Sequence, residues 1–247
     1  MLTWHFNEIW FLSQALVTFS IILLCFRLGK SWLMGYIGIC AVLMNIVVVK
    51  QVTLFGFDAT LGNILYASIF LVTDILSEHY GKKEAFKAVR IGFFAGIFSM
   101  ITLQFALRYI PNEYDFAQSS FITIFTLTPR IILASLASYL ITQNWDVWMY
   151  HKLRHATSGR HLWLRNNFST ITSQLFDSFL FSYIAFYGVF DSINQMAIFT
   201  FLIKFIIALI DTPFIYLTKL KFFEPENIRK KEFSWWGKTI TKLAGEE

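Results

Sequence analysis

Thr60–Glu78 reads TLGNILYASIFLVTDILSE, an apolar run with Asn63 near one end, Thr73 and Asp74 toward the other, and Glu78 at its close. About seventeen residues of helix rise ~26 Å, close to the thickness of a bilayer core. A carboxylate inside such a segment costs about 3 kcal/mol or more at the centre. Leu in its place would pack without that cost. Asp74 is therefore expected to face a polar interior in a membrane protein.

Composition agrees. Hydrophobic residues make up 56% of the 247 and charged residues only 15%, less charge than a soluble chain of this length carries. The fold class that follows is all-α, a polytopic helical membrane protein with about six to seven transmembrane helices. The whole chain, 1–247, reads as a single membrane domain, with 218–247 as a basic cytoplasmic tail. Within that tail, Trp235 and Trp236 suit a membrane surface or a disordered segment. Cys25 and Cys40 both fall in apolar runs and make no disulfide framework. The N-terminus shows no basic region followed by a small-residue cleavage site, so its first apolar run is read as a retained span.

Outward from the opening stretch, apolar runs fall at about Ile9–Phe26, Trp32–Val49, Val89–Tyr109, Asn166–Tyr187 and Gln195–Leu217. Gly56, Phe57 and Asp58 read as a turn. Phe121–Thr142 is apolar but broken by Thr128-Pro129-Arg130. It is either one kinked span with Arg130 in its middle or a short or re-entrant segment at 116–127 followed by a new helix. Further along it, Ser135, Ser138, Thr142 and Asp146 follow at helical steps and form one polar stripe.

Orientation follows from the basic residues. Of 21 Lys and Arg, 17 fall in 27–30, 77–90, 151–165 and from 219 onward; Lys50 and Arg108 fall on the opposite side, and Arg130 and Lys204 lie within spans. Basic residues collect on the cytoplasmic side, so the chain is expected N-out and C-in. The net charge of +5 needs no nucleic-acid partner to account for it.

The polar residues within apolar runs are the candidate site: Asn45, Asp74, Arg130, Asn167, Gln174, Asp177, Lys204 and Asp211. Charges in lipid pair or face water, so some of these could serve only to pin helices together. Lys204 and Asp211 are seven apart, two turns along one face, and need not be partners. The first half of the Asn166–Tyr187 run holds more polar groups than pinning requires. Carboxylates accept from N–H groups, amides donate and accept, and aromatic rings stack on flat ones. That set suits a planar heterocycle with amino and carbonyl groups. By depth, Asp177 with Gln174 and Asn167 is expected near the midplane; Asp74 lies nearer the cytoplasm, as a gate, proton relay or helix partner.

Enzyme chemistry is not signalled. The five histidines sit in loops or at span ends, and HExxH, GxSxG and phosphate-loop patterns are missing. No catalytic residue, metal site or cofactor is expected. Transport would run downhill, with a coupling ion, or with a separate ATP-driven partner.

The blocks LGNILYASIFLVTDILSEHYGKKEA (61–85), TPRIILASLASYLITQNWDVWMYHKL (128–153), LWLRNNFSTITSQLFDSFLFSYIAFYGVF (162–190) and KFIIALIDTPFIYL (204–217) resemble the queuosine precursor transporter family, also described as a vitamin uptake transporter family. The resemblance implies uptake, across the bacterial inner membrane, of 7-deazaguanine bases such as 7-cyano-7-deazaguanine, 7-aminomethyl-7-deazaguanine or queuine. Its motif positions here include the eight candidate residues together with Glu78, Gln143, Asp146, Arg165, Asn166 and Ser169. A binding subunit served by a separate ATP-driven module is the alternative. The expected partners are the base and the lipid bilayer, and a homodimer is a possible assembly.

Overall fold

The computed structural model describes residues 4–48, 50–126, 129–188 and 193–225, without the side chains of 4–5, 51, 57–60, 129–132 and 186. Among these residues, eight helices and a hairpin follow in order: α1 Trp4–Leu28, α2 Lys30–Val47, β1 Gln51–Leu54, β2 Phe57–Thr60, α3 Gly62–His79, α4 Lys82–Ala106, α5 Gln118–Phe125, α6 Pro129–Ala156, α7 Leu162–Phe186 and α8 Ile193–Leu217. The chain is a polytopic helical membrane protein. Trp235 and Trp236 lie outside the described residues.

The opening stretch becomes the hub. Helix α3 touches α1, α2, α4, α6, α7 and α8. Fourteen of its 18 residues are buried, and it contributes none of the exposed large hydrophobic side chains. The outer helices show the reverse. Trp10, Leu16 and Ile21 of α1, Trp32 and Ile39 of α2, and Phe94, Phe98 and Phe105 of α4 all point outward. Asp74, Asp146, Gln174 and Asp211 are buried inside. An apolar exterior around a polar interior is stable when the surrounding solvent is hydrocarbon. Among the described residues, four helices are long and apolar enough to span by composition alone: α1, α2, α4 and α8. Helices α3, α6 and α7 bring most of the buried polar residues, and α8 adds Lys204 and Asp211.

Pro129 opens α6, where its missing N–H belongs to an unpaired first turn. Residues 118–125 form the separate short helix α5, about 12 Å long and too short to span. Arg130 thus stands in the first turn of α6, not in the middle of a kinked span; its side chain is outside the description. Helix α5 lies against α4, where Gln104 Nε2 donates to the Phe125 carbonyl at 3.0 Å.

The turn read at Gly56–Asp58 is a hairpin. Strands β1 and β2 pair antiparallel with Leu54 opposite Phe57. The two turn residues, Phe55 and Gly56, both have positive φ, 53° and 83°. That is the pattern matched to strand twist, and Gly accepts it without strain. The hairpin docks on the start of α1: Asn7 Nδ2 donates to Thr53 O at 3.3 Å and Phe55 N–H to Glu8 Oε1 at 2.9 Å.

The cationic connections gather at the opposite end. Lys30 pairs with Glu84 at 3.3 Å, Arg27 lies 4.8 Å over the Phe222 ring, and Arg154, Arg165 and Lys219 all reach Glu78. The segments that carry most of the basic residues thus meet at one face of the bundle, here termed the basic end.

Helix α4 presents Ala85, Ala88, Val89, Gly92 and Gly96 inward. A Cβ at Gly92 would stand 2.1 Å from Tyr139 Oη and 2.8 Å from Ile37 Cγ2. Tyr139 is buried and donates to Val89 O at 3.3 Å, so its ring has little room to retreat. Gly92→Ala is expected to cost about 1–3 kcal/mol through overpacking. A lower unfolding temperature of the purified protein in detergent is the readout; Gly81→Ala is not a suitable control because Gly81 has φ 89°, whereas Gly35, with nothing near its Cβ, is.

Candidate functional site

Helical periodicity builds the site. On α3, Tyr66, Thr73, Asp74 and Glu78 fall at steps that return to one side, as do Ser138, Thr142, Asp146 and Tyr150 on α6, and Thr170, Ser173, Gln174 and Asp177 on α7. Lys204 and Asp211 share a face of α8, about 10 Å apart along the axis. Because neighbouring helices alternate in direction, these faces meet in three tiers.

In the tier farthest from the basic end, Asp177 and Lys204 form an ion pair across α7 and α8, 3% and 5% exposed. Tyr66 Oη donates to Asp177 Oδ1 at 2.5 Å, Thr142 Oγ1 to the same oxygen at 3.4 Å. Lys204 Nζ also sits 4.6 Å over the Tyr66 ring. One carboxylate therefore joins α3, α6, α7 and α8. A buried ion pair is tolerable only with such extra hydrogen bonds.

The middle tier is acidic. Asp74, Asp146 and Asp211, from α3, α6 and α8, are all buried. Thr170 Oγ1 donates to Asp74 Oδ2 at 3.3 Å, Ser173 Oγ to Asp146 Oδ1 at 3.1 Å, and Asn166 Nδ2 to Asp211 Oδ1 at 3.5 Å. Asp74 and Asp146 come within hydrogen-bond reach of each other, and Asp211 is near enough to both to repel them. No ion pair among the described residues reaches any of the three.

The third tier closes the basic end. Arg165 Nη2 grips both Glu78 oxygens at 2.7 Å, Tyr150 Oη donates to Oε2 at 2.9 Å, and Lys219 Nζ stands 3.0 Å from Oε1. Arg165 is 1% exposed and also donates to the carbonyls of Gly159 and Arg160. His151, in the polar last turns of α6 beyond its apolar part, is held down at about 4, by burial first and then by Arg154 and Lys82. At neutral pH it therefore adds no charge to this end.

Between the first two tiers lie two glutamines. Gln143 Oε1 meets Thr73 Oγ1 at 3.5 Å, leaving its Nε2 without an acceptor. Gln174 is fully buried, and neither atom of its amide has a partner. An amide that ends in no hydrogen bond costs a few kcal/mol, so this one is disposed toward something that completes it.

Arg130 stands at the start of α6; six of the other seven sequence candidates lie in or beside these places. Asp177 and Lys204 pair with each other; Asp74 and Asp211 stand in the acidic tier; Gln174 is the open amide. Asn167 Nδ2 donates to Thr212 Oγ1 at 2.9 Å and ties α7 to α8 beside Pro213, which cannot donate to the preceding turn. Asn45 donates to Ala41 O of its own helix at 2.8 Å and joins no tier. Tyr66, Gln143 and Asp146 were not among the candidates, although the stripe on α6 already led to Asp146.

A family model described as "Putative vitamin uptake transporter" matches residues 60–218. The chain belongs to this family. The matched region begins just before the hub helix and takes in the three tiers apart from Lys219. The transporter is 42% identical over 218 residues to a "Probable queuosine precursor transporter" of Bacillus subtilis (strain 168), covering 87% of this chain and 95% of that one. It is 29% identical over 134 residues to a protein of the same description from Haemophilus influenzae, 54% of each chain. With the "Queuosine precursor transporter" of Escherichia coli (strain K12) it shares 27% over 146 residues, 58% of this chain and 62% of the other. No solved structure matches the transporter.

Proposed function

We propose that the chain imports a queuosine precursor, a 7-deazaguanine base, across the bacterial inner membrane, and that Gln174, Asp177 and Lys204 hold the base near the midplane. The observation that carries this reading is the open amide of Gln174, buried with both atoms unpartnered, about one turn from the Asp177–Lys204 pair.

The chemistry is complementary. The lactam edge of a 7-deazaguanine sets an oxygen acceptor beside an N–H donor, and a carboxamide presents the matching donor and acceptor side by side. The 2-amino group donates and suits Asp177, which retains acceptor capacity beyond its present bonds. The free Nε2 of Gln143 supplies a further donor, and Tyr66 a ring for stacking. The names of the three relatives support the same substrate class. The basic end, by its charge, is the cytoplasmic end.

Deleting the gene in a cell unable to make the precursor is expected to remove queuosine from tRNA at low external base; unchanged tRNA would sink the reading. In liposomes holding the purified protein, labelled 7-cyano-7-deazaguanine should enter. Binding without entry would favour a binding subunit that depends on a separate energising module. Gln174→Leu removes two hydrogen bonds of about 1 kcal/mol or more each, so base affinity should fall about 10- to 100-fold. Wild-type affinity in that variant would remove Gln174 from the site.

A further inference from the structure

The acidic middle tier holds three buried carboxyls from three helices and, among the described residues, no cation paired with them. Three ionised carboxylates there would each carry a desolvation cost of several kcal/mol and would repel one another. The nearby cations are committed elsewhere, Lys204 to Asp177 and Arg165 to Glu78. Asp74 Oδ1 and Asp146 Oδ2 each lack a donor, although the two carboxyls face each other within hydrogen-bond reach. Asn166, 1% exposed, donates to Asp211 and leaves its own Oδ1 unpartnered at the same tier. A proton supplies what is missing: it makes one carboxyl a donor to the other and cancels one charge. A multivalent metal is a poorer match, since among the described residues no three Asp, Glu, His or Cys groups converge as ligands.

We propose that Asp74 and Asp146 share a proton that is exchanged with each transport cycle, coupling entry of the base to the proton gradient. This rests on the reading of the chain as a base importer. The groups facing the pair are Asp211 on α8, Tyr150 one turn along α6, Glu78 one turn along α3, and Arg165 and Asp177 at the two ends of the polar face of α7. Of these, only Asp211 shares the tier without a counter-charge, and its repulsion favours keeping the proton on the pair. Tyr150 Oη bridges toward Glu78 at 2.9 Å and marks the side on which the proton leaves, the basic end. One proton enters with one base and leaves into the cytoplasm.

The test uses the purified full chain in liposomes and labelled 7-cyano-7-deazaguanine, a base without a charge of its own. One pH unit, acidic outside, should give roughly tenfold accumulation for a one-proton cycle. The double variant Asp74→Asn, Asp146→Asn mimics the protonated state. It should exchange labelled for unlabelled base within about twofold of wild type yet accumulate none under the pH gradient. Accumulation by the double variant, or wild-type accumulation driven by a sodium gradient and indifferent to pH, would overturn the proposal. A wild type that exchanges no base at all would overturn the importer reading itself, and the coupling with it. A second readout needs no transport: the infrared carbonyl band of a protonated carboxylic acid, present at pH 7 in wild type and reduced in the double variant. Identical spectra for the two would also overturn it.

Discussion

Lys204→Met is expected to abolish uptake of the base and to lower the stability of the protein by about 3–5 kcal/mol. The change keeps length and apolar stem but removes the cation that neutralises Asp177. Tyr66 and Thr142 would still donate to that carboxylate, yet hydrogen bonds from neutral groups do not replace a counter-charge at 3% exposure. An Asp177 without its counter-charge would hold the junction of four helices less firmly. Liposome uptake measures the first effect, with a drop of about 100-fold or more, and thermal unfolding in detergent the second. The double variant Asp177→Asn, Lys204→Met separates the roles. It removes both charges, so most of the stability should return while uptake stays lost. Return of both would make the pair a helix pin with no part in holding the base.

Glu78→Ala should destabilise by a similar amount, about 3–5 kcal/mol, for the opposite reason. It leaves cations without their anion. Arg154 and Lys219 are 38% and 44% exposed and can turn to water, whereas Arg165 at 1% cannot. The cost therefore concentrates on one guanidinium. Adding Arg165→Met to Glu78→Ala should recover a large part of the loss, because contacting charges are not additive. A double variant no more stable than Glu78→Ala alone would show that Arg165 carries little of it. Glu78→Asp, which keeps the charge but shortens its reach, should fall between wild type and Ala.

Much of this was legible in the sequence, for physical reasons. A carboxylate within TLGNILYASIFLVTDILSE made little sense in lipid, and α3 is indeed enclosed by six helices. The side-selective placement of Lys and Arg foretold which connections meet at one end. Pairings were not legible. Seven-residue spacing placed Lys204 and Asp211 on one face, but the partner of Lys204 comes from α7, and no local pattern encodes a contact across 27 residues. Asn45 was a polar residue in an apolar run like the others, yet its amide turns back to its own helix, a bond any helical Asn can make. The hairpin was missed because Phe55 at positive φ lacks the Asn-Gly or Asp-Gly signature, and is held instead by Glu8 from α1.

The division of labour between α1, α2, α4 and α8, which are apolar enough to span by themselves, and α3, α6 and α7, which are not, bears on how the chain is made. A translocation channel releases each segment into lipid according to its own apolarity, and a central Asp weighs against release by about 3 kcal/mol. Helix α3 emerges directly after α2 and directly before α4, and both touch it. It can leave the channel as the middle of a trio, its Asp74 never meeting lipid alone. Helices α6 and α7 emerge together and then receive α8, whose Lys204 is the counter-charge for Asp177. Until α8 arrives, the second half of the bundle holds an uncompensated acid, so the polar interior is complete only once α8 is in place. A chain truncated before Ile193 should accordingly be a substrate for membrane proteases rather than a partly active importer.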